Sequence, residues 1–158
     1  MKSIPSTAIA LLVCAGLLGA VAAVPARAAL GEHAASVAQD QLRMKGQLRQ
    51  KTGAGYSVEE ITTPAGTVVK EFISPSGIVF AVSWRGPAMP DLAQTLGSTY
   101  FSMLTAAEKS QRPAFGHNHV QLHTPQLVVH AGGHMRMFFG VAYVPSLLPP
   151  NVTIADLH

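Results

Sequence analysis

The stretch Tyr56–Trp84, YSVEEITTPAGTVVKEFISPSGIVFAVSW, decides the fold. It divides into three strand-like runs, Tyr56–Thr62, Thr67–Ile73 and Ile78–Trp84, joined by Thr63-Pro64-Ala65-Gly66 and Ser74-Pro75-Ser76-Gly77. Each joint combines a proline, whose φ is pre-set, with a glycine that accepts positive φ, and that is the chemistry of a tight turn. The segment therefore predicts a short antiparallel meander. Within the third run, Ile78, Phe80, Val82 and Trp84 alternate with Val79, Ala81 and Ser83. The period of two puts the first four on one face, which is predicted to be core.

Working outward, Ser36 and Gln39 have capping-box spacing. The residues from there to about Lys51 are good helix formers, followed by Gly53 and Gly55, so a first helix is predicted over this span, with a thin apolar face of Val37, Met44 and Leu48. Arg43, Lys45, Arg49 and Lys51 would form its solvated end. On the other side of the meander, Arg85-Gly86-Pro87 is an exit turn, and Asp91 with Gln94 marks a second helix start. Leu92, Leu96, Tyr100, Met103 and Ala107 recur at helical spacing. Gly97 weakens that helix by up to about 1 kcal/mol relative to Ala. Further strands are predicted at His119–Thr124, Leu127–His130 and His134–Val144. Ala131-Gly132-Gly133 would turn between the last two, and Met135, Met137, Phe139, Val141 and Tyr143 would share one face of the last. Pro145, Pro149 and Pro150 end regular structure and leave an irregular tail. Strands and helices come in blocks, so the predicted class is α+β: an antiparallel sheet, built from the three-strand meander plus C-terminal strands, with two helices on one side.

The N-terminus reads as a secretory signal. Lys2 supplies a positive start, Ala8–Val24 is apolar, and Ala26-Arg27-Ala28 offers small residues at the cleavage positions. The apolar run is short for a spanning helix, which needs about 20 residues. Leu11-Leu12-Val13-Cys14 lacks the small residue that a lipoprotein site requires before its cysteine. Residues 1–28 are expected to be cleaved, and 29–158 to form a single domain that is periplasmic or secreted, with no membrane span after cleavage. Cys14 is the one cysteine of the chain, so the mature domain would have neither disulfides nor a thiolate nucleophile. The formal net charge is +3. Without Lys2 and Arg27, nine basic side chains face eight acidic ones, a net of +1. No basic block interleaved with aromatics is present, so a nucleic-acid partner is not expected.

The chain resembles a family of exported bacterial proteins known as domain of unknown function 2844. The resemblance is carried by Ala29-Leu30-Gly31, Tyr56-Ser57-Val58, Gly66-Thr67-Val68-Val69-Lys70-Glu71-Phe72, Ser74-Pro75, Gly77 and Val79-Phe80-Ala81-Val82. Beyond the meander it continues through Trp84, Gly86-Pro87, Pro90-Asp91-Leu92, Leu96-Gly97, Gly132-Gly133-His134-Met135-Arg136, Gly140-Val141-Ala142-Tyr143 and Leu148-Pro149. It implies export and a shared fold, and it brings no catalytic residues with it.

Candidate chemistry concentrates in histidines. His117, His119, His123, His130 and His134 lie in a segment, Lys109–Ala155, that contains no Asp or Glu. His119 and His123 would share a strand face, and a turn at Ala131-Gly132-Gly133 would oppose His130 to His134, a set able to hold Zn or Cu. Against this, ligating histidines usually pass their second N–H to a carboxylate or carbonyl, and no carboxylate is local. Exposed strand histidines are the favoured reading, and no cofactor is predicted. The same cluster could respond to pH between 5 and 8. Trp84 and Arg85 are residue types that anchor interfaces, although a core Trp before a rigid exit turn is favoured. Arg136 is placed on the strand face opposite the Met/Phe stripe, as a solvated position or a ligand contact. The chain has no Gly-x-Ser-x-Gly, Ser-x-x-Lys, His-Glu-x-x-His or Walker-type motif, and the adjacent Glu59 and Glu60 would point to opposite faces of a strand. The expectation is a non-enzymatic binding module acting through a sheet face or edge on a protein or envelope component. The alternative is a His-based metal-binding protein, including a metallohydrolase.

Overall fold

A computed structural model describes residues 30–53, 55–110 and 119–157. The expected signal peptide, together with His117, lies outside the described residues. Seven strands form one antiparallel sheet: β1 (Gln47–Thr52), β2 (Ser57–Thr62), β3 (Val68–Ile73), β4 (Val79–Gly86), β5 (His119–His123), β6 (Val128–His134) and β7 (Met137–Tyr143). Their spatial order is β1-β2-β3-β4-β7-β6-β5. Two helices, α1 (Val37–Met44) and α2 (Leu92–Ser110), complete an α+β fold. The turns that open the meander form as their sequences predict. Gly66 and Gly77 take φ of 86° and 78°, and their N–H groups donate to the carbonyls of Thr63 and Ser74 at 2.9 and 2.8 Å.

The first helix is shorter than predicted. Lys45 adopts a left-handed φ of 50° and caps α1. Gly46 then lies so close to β2 that a Cβ there would stand 2.4 Å from Ile61 Cγ2. The next six residues pair with β2 as an edge strand. Arg49 and Lys51 are thus strand residues, and Lys51 Nζ donates to Glu60 Oε2 at 2.9 Å. Helix propensity among Gln, Leu, Arg and Lys amounts to tenths of a kcal/mol per residue, too little to resist a full row of ladder hydrogen bonds. The Ser36–Gln39 capping box does not form, because the Ser36 hydroxyl donates to the carbonyl of His33 instead.

Helices α1 and α2 cover one sheet face. Leu96 and Leu104 of α2 are buried against Val82, Trp84 and Val129, with Tyr100, Phe101 and Met103 packed around them. Gly97 does more than weaken α2. At φ 75° and ψ 164° it kinks the helix after its first turn. No helix among the described residues is long and apolar enough to cross a membrane.

The opposite face is covered over part of its area by the C-terminal residues. Short 3-10 turns at Pro145–Leu147 and Ile154–Leu157 carry Val152 and Leu157 onto Phe72, Phe80 and Tyr143. Both faces of β4 are consequently covered from Val79 to Val82. The predicted one-sided grouping in that strand also changes. The β3–β4 register shifts between Phe72 and Ile73, and the bulge delivers Phe80 to the cluster under the C-terminal turns while Val82 and Trp84 face the helices.

The β6–β7 turn is displaced as well. β6 runs straight through Ala131-Gly132-Gly133, and the chain reverses at Met135-Arg136, with Arg136 at φ 66°. His134 pairs with Met137, so His130 and His134 are not opposed. They lie on the same strand, four residues apart.

Leu157 is fully buried although it sits one residue from the end of the sequence. Leu157→Ala should cost about 2–4 kcal/mol in chemical denaturation, the range for a buried large-to-small change. A cost below about 0.5 kcal/mol would mean that the C-terminal turns are not part of the core.

Candidate functional site

Residues paired across antiparallel strands share a face, so the register writes ranks of side chains across the sheet. On the face away from the helices, one rank is Val68, Arg85, Phe139, Gly132 and His119. The next is Glu60, Lys70, Ser83, Val141, His130 and Gln121. A third rank, from Val58 on β2 through Phe72, Ala81 and Tyr143 to Val128 on β6, lies beneath Val152 and Leu157. The C-terminal turns stop there. The first two ranks remain open and line a groove of about 760 Å³, a size typical of small-molecule sites.

Across the strands from β2 to β5 the groove extends about 24 Å, at about 4.8 Å per strand. In its middle Ser83 pairs with Val141, and Gly132 with Phe139. A Cβ at Gly132 would stand 2.5 Å from His119 Nδ1 and 3.0 Å from Phe139 Cζ. The missing side chain is what lets both rings lean over β6, their centroids 6.4 Å apart. Phe139 and Met137 are 44% and 42% exposed, large apolar surface at one rim. Lys70 and Arg85 stand on the β3–β4 side of the groove. Glu60 is the one acid in the lining, and its hydrogen bond from Lys51 holds its carboxyl below the usual carboxylate range.

The residues singled out in the sequence disperse. Trp84 is 2% exposed and faces the helices. Its ring lies over Gly140, where a Cβ would come within 2.3 Å of Trp84 Cζ2. Arg85 points the other way, exposed on the groove side. Arg136 sits in the β6–β7 turn rather than on a strand face, outside the groove lining. Of the histidines, His119 and His130 line the groove. His123 meets His130 with Nε2···Nε2 at 2.7 Å and perpendicular rings, so one imidazole donates and the other accepts. His134 is exposed at the end of β6. Among the described residues, no three His, Cys, Asp or Glu side chains gather as metal ligands would.

Residues 26–157 match a family model described as Protein of unknown function (DUF2844). The chain belongs to that family. No curated protein and no solved structure matches it. The match covers the whole described part of the chain, so the sheet, both helices and the C-terminal turns that bound the groove all belong to the DUF2844 unit.

A second polar feature of this DUF2844 chain lies under the helices. Glu71 of β3 and Asp40 of α1 are buried, and Gln94 Nε2 donates to Asp40 Oδ1 at 2.9 Å, tying α1 to α2. Asp40 Oδ2 and Glu71 Oε2 have no partner among the described residues. Burial, reinforced by the nearby carboxylates of Asp40 and Glu59, pushes Glu71 up to about 8. Burial pushes Asp40 up to about 6, against the hydrogen bond from Gln94 and the attraction of Arg43. Both folded values exceed the unfolded ones, so the folded state holds protons that the unfolded chain releases. The resulting stability is complete below about pH 4 and is lost as pH rises through about 6 and then about 8. Glu71→Gln should therefore leave thermal stability at pH 5 nearly unchanged and raise it at pH 8.5 by at least about 1.4 kcal/mol, the equivalent of one displaced pKa unit. Equal effects at both pH values would contradict the protonated, buried Glu71.

Proposed function

We propose that this protein is an exported, non-enzymatic binding module, periplasmic or secreted, that takes its partner into the groove on the open sheet face. The observation carrying the reading is an asymmetry of cover. One face is sealed by two helices and half of the other by Val152 and Leu157, while the remaining half keeps Phe139, Met137 and Arg85 exposed around a concave floor. Exposed apolar surface concentrated in a concavity and rimmed by charge is the usual form of a binding site. The leader-like sequence of residues 1–28 supports export, and the partner is a component of the envelope. The lack of a basic tract weighs against nucleic acid as that partner.

A photo-crosslinking residue placed at Phe139 should capture a component other than the protein itself when the cells that make it are irradiated. The same residue at Leu42, which is 74% exposed on α1, should not. Equal capture at both positions, or adducts only between copies of the chain, would contradict the groove.

The His123–His130 contact favours a second reading, in which a Zn²⁺ or Cu²⁺ ion replaces the shared proton with these two imidazoles as ligands. Calorimetric titration with Zn²⁺ should then show micromolar binding that His123→Ala abolishes. The absence of heat with the unaltered protein would remove this reading.

A further inference from the structure

Resting on the groove proposed above, we infer that its occupant is a single-chain amphipathic carboxylate, a fatty-acid-like molecule. Its head sits at Arg85 and Lys70, and its hydrocarbon lies across β7 and β6. The placement of charge sets the polarity. Lys70 is opposite Ser83, and Arg85 follows two residues along β4, so the two cations are diagonal neighbours on one face, about 7–8 Å apart at the backbone. A carboxylate between them meets both. Arg85 is exposed and makes no ion pair or side-chain hydrogen bond among the described residues, and its planar fork suits bidentate capture of a carboxylate. One acid stands near, Glu60 of β2, opposite Lys70. Glu60 is bonded to Lys51, and the sequence that builds β5, β6 and β7 contains no Asp or Glu.

From β4 toward β5 the lining changes character. Met137, Phe139 and Val141 give a run of apolar side chains about 14 Å long along β7, with Gly132 of β6 beside Phe139, before the imidazoles and Gln121 are reached. An extended peptide laid along this run would have to desolvate its N–H and C=O groups over a floor that offers few partners, at a cost for each unpaired group. A hydrocarbon chain has no such groups, and its burial is favourable at about 25 cal/mol per Å². The same contrast sets the groove apart from a sheet edge, where a peptide would find ladder partners.

The test is isothermal titration of the protein as isolated from cells with laurate, kept below its micellar range, and with lauryl alcohol. One laurate per chain should bind with a micromolar Kd. Arg85→Ala should weaken laurate about tenfold and change lauryl alcohol by less than about twofold. Arg85→Lys should recover part of the loss, and Lys109→Ala, on the far end of α2, should change neither. Unchanged melting of Arg85→Ala would show that its fold is intact. The inference is overturned if laurate gives no heat, or if it binds no better than the alcohol and ignores Arg85. Binding seen only with phosphatidylglycerol vesicles, or only with an acidic peptide, would also overturn it. Should a partner crosslink at Phe139 while laurate fails to bind, the groove stands and the carboxylate assignment falls. If neither occurs, the groove itself is lost.

Discussion

Strands β4 and β7 are separated in sequence by α2, β5 and β6, yet they pair residue by residue, with Ser83 opposite Val141 and Arg85 opposite Phe139. Everything on the open face depends on this register. The meander β1–β4 carries the cations, and the C-terminal hairpins carry the aromatic and imidazole side chains. Only the β4–β7 ladder brings the two sets onto one surface. A slip of one residue would turn Phe139 and Val141 toward the helices and bring Phe138 and Gly140 to the groove, because side chains alternate with a period of two. The register is held by the other face. Trp84 fits over Gly140 at a distance that admits no side chain there, and Ala142 and Val129 lie beside it under α2. Core packing on one side of the sheet thereby specifies the geometry of the open groove on the other.

Cover is distributed unequally for a related reason. Helix α2 crosses from the end of β4 to the far edge at β5 and spans one face. The C-terminal turns are short, and with Val152 and Leu157 they reach only the rank of Phe72, Ala81 and Tyr143. The next two ranks are left with residues that tolerate water at their tips, such as Lys70, His130 and Gln121, above an apolar floor. Two cations, Lys70 and Arg85, stand at one side of this open floor.

Much of this was legible in the sequence where local chemistry decides. The proline–glycine joints at Thr63–Gly66 and Ser74–Gly77 announced the meander, and the Leu96-to-Ala107 spacing announced α2. The first helix was overextended because Gln47–Thr52 has helical composition and no turn residue before it except Gly46, whose role is a close approach to Ile61 that no local pattern reveals. The last hairpin was misplaced for the converse reason. Gly132 and Gly133 look like a turn, but Gly132 is a strand residue kept small by His119 and Phe139, and Arg136 takes the left-handed position. The groove was half visible. Arg85, His119 and His130 were singled out, and Met137, Phe139 and Val141 were recognised as sharing one face of the last strand. What the sequence could not supply was Lys70 beside Arg85, or the C-terminal turns covering one rank and not the next. Both are consequences of long-range register. The buried Glu71 went unnoticed because a lone acid in a strand of mixed polarity carries no mark of which face it takes.

Interstrand nuclear Overhauser contacts across β4 and β7 test the account most directly, since backbone protons of opposed residues lie within range when their Cα atoms are about 4.5–5.5 Å apart. The account predicts contacts linking Arg85 to Phe139 and Ser83 to Val141. A contact pattern whose register opposes Arg85 to Phe138 or to Gly140 in place of Phe139 would put the aromatic stripe under the helices, and the groove with its cationic end would not exist.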